Sequence, residues 1–595
     1  MTTLANAPVF TAPNRGLKRC WVLPAALLDQ LQVQALSRGL GSPPLVAEIL
    51  LRRGLGNSAD AAAFLQPKLN SLPDPALLPN MAAAVDRIAQ AALRREKIVI
   101  FGDYDVDGTT GTAMLWRLLK AAGADVHFRV PHRTQEGYGL QTPAVVELVD
   151  GGAQLIITVD CGITANQPVA LAQSRGVDVI VTDHHEFHEP LPPARAIVHP
   201  NLPGSLYPNK HLCGAGVAFK LCWQLARSFC GGPRVSQLYR DMLVEFCALV
   251  GLATIADVVP LSGENRVLAH LGLRQLRRST IVGIQALVDA AGCREKIIDC
   301  TAAGFALSPR LNAAGRMGHA RLAVEMLITD SPPRAAEIAG YLEKQNRERQ
   351  GVERKIFAAA KAQVPADQLP AALVVSGKEF HAGVVGIVAS RLVDAFHRPA
   401  FVLAVENDLA VGSGRSIVGF ALHEAIEHCR DLLITGGGHA MAGGVKLKAD
   451  KMEEFSARLR AYAAEHLVAD DFIPRLHVEA QVRLAQLDIH MAKHLALMEP
   501  FGNANTRPQF LVREAHIAGP PRRVGATGNH LQLTLQQDGA MGRAIAFGLG
   551  PWAAQLPNRQ VVDLIVDARL SHYNGNTGVD LHIVDIARSD GRSFT

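Results

Sequence analysis

From Pro79 to about Leu261, short apolar runs alternate with stretches of helical periodicity. Ile98 to Phe101, Val126 to Val130, Leu155 to Val159, Val177 to Val181 and Ala196 to His199 read as strands. Helical patterns lie between them, and two run into Gly123 and Gly176, a residue type suited to the left-handed position after a helix end. Alternating β and α segments predict an α/β domain with a mostly parallel sheet covered on both faces. Residues 262 to about 355 read as helical. They end in one long helix over YLEKQNRERQGVERKIFAAAKAQV, whose charges read as a solvated face. A second α/β pattern follows, with strands at Ala372 to Ser376 and Ala400 to Val405. Beyond about 466 the pattern is β-rich, with strands at Leu476 to Leu484, Gln509 to Ile517, His530 to Leu535, Arg543 to Leu549, Val561 to Leu570 and Val579 to Ala587. Short strands with Gly and Asn turns predict a small barrel of OB-fold type. The expected organisation is an N-terminal extension (1–70) packing on the next domain, a parallel-sheet domain (71–290), a helical connector (291–355), a smaller α/β domain (356–465) and a β-barrel (466–595).

Acids and imidazoles fall where this pattern ends its strands. The first strand runs into Asp103, Asp105 and Asp107, then Gly108 and a helix from about Gly111. LIITVDCGIT places Asp160 after a second strand, and VDVIVTDHHE places Asp183, His184 and His185 after a third. Asp257 breaks the apolar run LATIADVVPL at a helix end. Parallel sheets bind ligands beyond the carboxyl ends of their strands. Three acids this close repel one another unless a cation joins them. Oxygen and imidazole donors without thiolates suit Mn²⁺ or Mg²⁺. Singly, each piece has an ordinary explanation. Asp160 could cap a helix, and DYDVDG opens like a calcium loop. That loop needs Glu at its twelfth position and a helix before it, where this chain has Met114 and a strand. Recurrence at one sheet edge is harder to assign to chance.

The chain has 595 residues, 48% of them apolar and 19% charged, which fits several ordered domains. No run reaches the roughly 18 apolar residues of a membrane span, and the N-terminus lacks a basic-then-apolar signal. None of the nine cysteines forms a C-x-x-C pair, so neither a zinc site nor a disulfide framework is expected; free thiols suit a reducing cytoplasm. A net charge of +5 permits a nucleic-acid partner without requiring one. Three downstream segments add more. SPRLNAAGRMG (308–318) reads as a Pro, Asn and Gly-rich turn carrying Arg310 and Arg316, residues suited to phosphate. GSGRS (412–416) and GGGHAMAGG (436–444) are either anion-cradling backbone, with Ser413 and Arg415 adding donors, or a pair of tight turns. In the barrel, Arg522, Arg523, His530, Arg543 and Phe547 are candidates for holding a single strand, although inward aromatics often just fill a barrel.

DYDVDG, VDCG, TDHHE and ADVVPL, in that order, resemble the four motifs of the DHH phosphoesterase superfamily. VPHRTQEGYGL, SPRLNAAGRMG, FHAGVVGIVASRL, GSGRS, GGGHAMAGG and EPFGNANTRPQF extend the resemblance, from about Asn57 to the C-terminus, to its bacterial single-strand-specific 5′-to-3′ DNA exonucleases. The resemblance implies a DHH domain, a bridging helix, a DHHA1-type domain that closes over nucleic acid, and an OB-fold. It implies two divalent ions, Mn²⁺ or Mg²⁺. Asp160 would bridge them, with Asp105 mainly on one ion and Asp107, His184 and Asp257 on the other. Asp103 would complete or support the first cluster, and His185 would meet the scissile phosphate. Arg133, Arg310, Arg316, Ser413, Gly414, Arg415 and His439 would hold a 5′-phosphate and DNA. The implied activity is hydrolysis of single-stranded DNA to mononucleotides in recombinational, mismatch and base-excision repair. A single-strand binding protein and a RecQ-type helicase would be partners of a monomer, cytoplasmic and at the nucleoid, with no membrane. Two alternatives stand beside it. One is a DHH phosphodiesterase of short oligonucleotides or cyclic dinucleotides, which would need no β-rich extension. The other is a non-catalytic DNA-binding relative, which would usually have lost metal ligands that are present here.

Overall fold

The structure is a computed structural model that describes residues 14–24, 28–133, 136–316, 319–365, 367–573 and 576–589. By internal contacts the chain divides into two units, Pro67–Leu467 with Gly502–Asn505, and Met1–Gln66 with Val468–Phe501 and Thr506–Thr595. Among the described residues, no helix is long and apolar enough to cross a membrane.

The first unit begins with the expected parallel sheet. Strands β1 (Ile98–Gly102), β2 (Val126–Arg129), β3 (Leu155–Val159), β4 (Asp178–Thr182) and β5 (Ala196–Val198) lie in the order β2-β1-β3-β4-β5, every pair parallel. Ile98 and Ile100 face one core, and Val99 and Phe101 face another. Burial on both faces is why these strands read as continuous apolar runs rather than alternating ones. The order reverses between β1 and β3, and that switch point is where such sheets open a crevice beyond their carboxyl ends. Helix α1 (Val106–Ala121) follows β1 directly. Gly123 and Gly176 have φ of 79° and 78° and end their helices as the pattern predicted.

Helix α2 (Gly214–Phe229) packs on α1, and α3 (Gln237–Ala256) crosses α4 (Gly263–Leu276). The α3–α4 crossing is close because neither helix has a side chain at the contact. A Cβ on Gly272 would lie 2.6 Å from both the Gly251 Cα and the Cys247 carbonyl oxygen. Asp257 follows α3 immediately, so this crossing helps to place it.

SPRLNAAGRMG is not a turn: Ser308–Arg316 forms a helix, α5, preceded by a π-helical segment. Met317 and Gly318, like Thr134 and Gln135 of VPHRTQEGYGL, lie outside the described residues. Pro309 and Asn312 suggested a turn. Pro near a helix start is tolerated, and the Asn312 side chain accepts from the Val106 amide of α1. Helix α6 (Pro332–Ala362) is the long helix. Its charges are not simply a solvated face, because Asn346 and Arg349 are buried. The second sheet has the order β9-β10-β8-β7-β6, built from β6 (Leu373–Gly377), β7 (Ala400–Glu406), β8 (Leu409–Arg415), β9 (Leu433–Gly438) and β10 (Ala442–Lys448). Most of GSGRS and GGGHAMAGG therefore lies in strands rather than tight turns. On β8 the glycine is obligatory, since a Cβ on Gly414 would meet the Phe401 ring at 2.5 Å.

In the second unit, β11 (Phe510–Ile517), β12 (His530–Gln537), β13 (Ala540–Ala546), β14 (Val561–Tyr573) and β15 (Asn576–Arg588) form a closed five-stranded barrel. Pairings run β11–β14–β15–β13–β12 and return from β12 to β11. The strand expected over Leu476 to Leu484 is broken into Arg475–His477 and Ala480–Gln481. The described helices of the N-terminal segment are covered by the barrel. Val33, Leu36, Val46, Ile49 and Leu50 share one core with Phe510, Leu533 and Leu564 of the barrel. Trp21 is buried and donates its indole N–H to Asp585 Oδ2 at 2.9 Å. Periodicity shows that a helix has an apolar face; it does not show which surface covers that face.

Gly272→Ala tests the close crossing. Alanine gains about 1 kcal/mol of helix propensity, but a clash with backbone that no rotamer can relieve costs about 1–3 kcal/mol. The clash dominates, so calorimetry on the full chain is expected to show a lower thermal midpoint. An unchanged or raised midpoint would refute the tight contact.

Candidate metal centre

The acids converge at the switch point because main-chain groups hold them there. Asp105 caps α1, accepting hydrogen bonds from the amides of Asp107 (2.8 Å) and Gly108 (3.1 Å). The next free amide of that helix, Val106 N–H, donates to Asn312 Oδ1 on α5 at 3.0 Å. Gly108 lets the first turn of α1 approach Asp103, since a Cβ there would stand 2.6 Å from the Asp103 amide nitrogen. Asp107 is turned toward α2, where its two carboxylate oxygens accept from the amides of Gly214 (2.6 Å) and Ala215 (2.7 Å). A helix N-terminus favours negative charge there. Asp160 has φ 64°, left-handed for a residue with a side chain. It caps no helix, because the next one, Asn166–Ser174, has Ala165 at its N-cap. Its carboxylate packs where a Cβ on Gly214 would intrude to 2.5 Å.

His184 joins these acids. Its Nε2 lies 3.1 Å from Asp160 Oδ1, 3.7 Å from Asp107 Oδ2 and 3.8 Å from Asp257 Oδ2. Among the described residues, three sets have donor atoms within 4.8 Å of one another: Asp103, Asp105 and Asp160; Asp107, His184 and Asp257; and Asp160, His184 and His185. Asp160 therefore belongs to two of them. Burial raises the pKa of Asp103, Asp105, Asp160 and Asp257, and neighbouring carboxylates raise it further, to about 9 at Asp257. Burial also lowers that of His184. Asp103 Oδ1, Asp160 Oδ1 and His184 Nε2 are buried without a hydrogen-bond partner. An orphaned buried polar atom costs about 1–3 kcal/mol, so these donors fit a divalent cation of the Mn²⁺ or Mg²⁺ type.

Asp183 is absent from those sets and does something else. It accepts from the amides of Ile163 (2.9 Å), His184 (2.7 Å) and His185 (3.2 Å), and its Oδ1 lies 2.8 Å from His185 Nδ1. Burial would raise its pKa, but the His185 hydrogen bond and both histidine charges outweigh this and bring it to about 2. Burial would likewise lower the pKa of His185, yet the bond to Asp183 lifts it to about 9. His199 Nε2 holds the His185 carbonyl at 2.9 Å, and the Tyr138 hydroxyl donates to the Asp160 carbonyl at 3.0 Å. The motifs offer Asp183 as a strand-end acid and give no role to Asn312, Tyr138 or His199. Asn312, Tyr138 and Asp183 stand inside the quoted motifs, but hydrogen bonds to main chain leave no mark in residue spacing.

A second cluster is cationic. Burial lowers the pKa of Arg316 to about 10, with help from the charges of Arg133, Arg349 and Arg415. Arg316 donates to the Gly383 carbonyl at 2.9 Å, just before helix α7 (Val385–Phe396). Arg415 donates to Ser413 Oγ at 2.9 Å and to the Gly414 carbonyl at 2.8 Å. Gly386, in the first turn of α7, keeps the space open: a Cβ would lie 3.1 Å from Ser413 Oγ and 3.2 Å from Arg415 Nη2. Guanidinium groups beside a helix N-terminus suit a phosphate. Arg349 adds a buried charge from α6, paired with Glu353 at 2.8 Å. Arg310 forms an ion pair with Glu343 at 2.7 Å. His439 reaches Glu186, next to His185, at 3.0 Å. In the barrel, Phe547 is exposed and makes edge contacts to His530 and His582, at 5.0 and 5.2 Å between ring centroids. Arg543 pairs with Asp580 at 2.7 Å, Arg523 donates to the Gly528 carbonyl at 2.9 Å, and Arg522 is exposed.

A five-stranded parallel sheet with acids at its switch point, an Asp-His-His loop and a second α/β domain joined by a long helix define a DHH–DHHA1 protein. Sequence profiles agree: the DHH family N-terminal domain matches residues 97–248, the DHHA1 domain residues 359–465 and the RecJ OB domain residues 478–585. The chain belongs to the RecJ family. It is 37% identical over 569 residues to the single-stranded-DNA-specific exonuclease RecJ of Bacillus subtilis, covering 95% of this chain and 71% of that protein. It is 32% identical over 563 residues to the Escherichia coli protein of the same name, covering 91% of this chain and 96% of that one. The crystal structure of Thermus thermophilus RecJ in complex with Mn²⁺ superposes with a TM-score of 0.82 at 33% identity, covering 96% of this chain and 79% of that one. The Mg²⁺ complex gives 0.76 at 31% identity, covering 96% and 78%.

The crowded acids predict a pH dependence. An unfolded Asp loses its proton near pH 3.9, whereas Asp257 in the folded chain holds its proton to about 9. Between those values the unfolded state binds fewer protons, so stability falls as pH rises. His185 acts in the same direction, its contribution being lost as pH rises through about 9. Asp183, at about 2, contributes only a constant across this window. In chelator the thermal midpoint is expected to drop from pH 6 to pH 9, and Mg²⁺ should raise it most at pH 9. A flat chelator profile would contradict the crowding.

Proposed function

We propose that the chain degrades single-stranded DNA from the 5′ end to mononucleotides by two-metal phosphodiester hydrolysis. The observation that carries this is the adjacency of the two clusters within one unit. The Arg133 guanidinium lies 4.8 Å from the ring centre of Tyr104, and Tyr104 stands between Asp103 and Asp105 in the chain. A terminal phosphate held by the arginines would leave the next phosphodiester beside the acids, as single-nucleotide release requires.

Asp103, Asp105 and Asp160 would hold one ion, Asp107, His184 and Asp257 the other, with Asp160 the residue able to serve both. Bound divalent ions supply an activated water and neutralise charge on the attacked phosphate and leaving oxygen. The chain's own groups do the rest. His185, kept protonated by Asp183, would donate to an oxygen of the scissile phosphate. Amides of Gly214 and Ala215 stop Asp107 from rotating away. Arg133, Arg316, Ser413, Arg415 and the α7 N-terminus would hold the 5′-phosphate, with Gly414 keeping β8 close to its neighbour strand. Arg310 braces α5 against α6 through Glu343, and His439 reaches Glu186 beside the Asp-His-His loop. Phe547, with His530 and His582, offers a stacking face for bases, with Arg522, Arg523 and Arg543 along the backbone path. In the cell, such a monomer would act in the cytoplasm at the nucleoid, in recombinational, mismatch and base-excision repair. A RecQ-type helicase and a single-strand binding protein would supply its strands; this part rests on family resemblance alone.

Long single strands labelled at either end, with Mg²⁺ or Mn²⁺ and then with chelator, test the activity. A mononucleotide released first from the 5′ label, and only with metal, is expected; no release, or cleavage of dinucleotides alone, would refute it. Asp107→Ala is expected to abolish cleavage and leave strand binding near the wild-type level. Arg415→Ala removes one charge-assisted phosphate contact worth about 1.5–3 kcal/mol. It should lower the preference for 5′-phosphate over 5′-hydroxyl ends about 10- to 100-fold, read from initial rates on the two substrates.

A further inference from the structure

Tyr138 touches the centre at two points. Its hydroxyl lies 3.0 Å from the Asp160 carbonyl oxygen, 2.9 Å from His185 Nδ1 and 3.3 Å from His185 Nε2. A carbonyl can only accept and a phenol has one proton to give. The hydroxyl therefore donates to Asp160 and accepts from the His185 ring, whose Nδ1–H it shares with Asp183 Oδ1 at 2.8 Å. The tyrosine ring meets the imidazole edge-on, 5.3 Å between centroids.

Both partners need holding. Asp160 sits at φ 64°, a left-handed conformation that a residue with a side chain rarely adopts. Its amide is tied to the Thr182 carbonyl at 3.0 Å, so the Tyr138 bond pins the other side of the same strained residue. The loop is built to deliver that bond. Gly137 and Gly139 flank Tyr138 at φ 84° and 78°, left-handed turns on either side, and Gln141 Nε2 ties down the Tyr138 carbonyl at 2.8 Å. Tyr138 is 41% exposed, so core packing alone does not explain its placement.

We propose that Tyr138 is a positioning residue of the divalent-ion centre, its hydroxyl fixing the left-handed Asp160 and the orientation of the His185 ring together. The proposal rests on the reading that Asp160 holds an ion and His185 meets the scissile phosphate. Partners that orient metal-binding side chains typically govern affinity or activity by about 10- to 100-fold.

Tyr138→Phe removes one oxygen and keeps the ring. Three measurements on the full chain decide the matter: Mn²⁺ affinity by isothermal titration without DNA, kcat and KM on a 5′-phosphorylated single-stranded oligonucleotide, and the thermal midpoint in chelator. Mn²⁺ binding is expected to weaken, and kcat to fall, about 10- to 100-fold, with KM and the chelator midpoint unchanged. Wild-type Mn²⁺ affinity and kcat in the variant would overturn the proposal. So would a raised KM alone, which marks a base-stacking ring, or a lowered chelator midpoint without loss of Mn²⁺ affinity, which marks a purely structural bond. If the wild-type chain neither binds Mn²⁺ nor digests the strand, the proposed function fails; if it does both and Tyr138→Phe matches it, only the role of Tyr138 fails.

Discussion

A carboxylate taken out of water beside another carboxylate takes up a proton unless a cation stands in for it. The folded chain forces that choice on Asp103, Asp105, Asp160 and Asp257, packed around Asp107. Left to themselves these side chains would swing apart. Asp105 cannot, because it caps α1, and Asp107 cannot, because two amides of α2 hold it. Asp160 is turned inward by a backbone conformation that is itself unfavourable. The framework therefore stores repulsion at one point. That repulsion is what makes a bare protein site prefer a small, doubly charged ion to water.

The arginine cluster is the same device with the opposite sign. Burial weakens the hold of Arg316 and Arg415 on their protons, and the neighbouring charge of Arg133 weakens it further at both. Arg316 and Arg415 are steadied by carbonyl and hydroxyl oxygens, and Arg133 by the Tyr104 ring, rather than by carboxylates. Arg310 shows the contrast. It has a carboxylate partner in Glu343. Two pockets of unbalanced charge, one negative and one positive, then stand a short way apart. A phosphodiester chain with its counter-ions is the kind of molecule that satisfies both at once, phosphate on the arginines and metal between phosphate and acids.

The parts of this arrangement that were legible in the sequence are those carried by strand ends. Apolar runs located β1, β3 and β4, and the sheet rule then placed Asp103, Asp160 and His184 on one edge. Asp257 at the end of α3 followed from a break in periodicity. What stayed hidden depends on three-dimensional neighbours. SPRLNAAGRMG looked like a turn because Pro, Asn and Gly are turn residues; in the fold it is a helix whose Asn312 side chain caps another helix. Arg349 looked solvated because a charged helix usually is, but α6 passes the arginine cluster and buries that residue. The N-terminal helices showed their apolar faces and gave no sign that the barrel, hundreds of residues later, would cover them.

Asp183 makes the same point about chemistry. By residue type it is as good a metal ligand as its neighbours, and it stands in the same loop as His184 and His185. Geometry assigns it elsewhere. Three amides and one imidazole occupy its oxygens, which leaves little capacity for an ion and keeps it ionised. Its charge instead keeps a proton on His185 at neutral pH. A carboxylate withdrawn from the ion site in this way keeps His185 a hydrogen-bond donor in a centre otherwise lined with acceptors. The Asp-His-His sequence then encodes two opposite tasks in adjacent residues: His184 neutral and able to give a lone pair to a cation, His185 cationic and able to give a proton to an anion. The difference between them comes from which ring nitrogen Asp183 can reach.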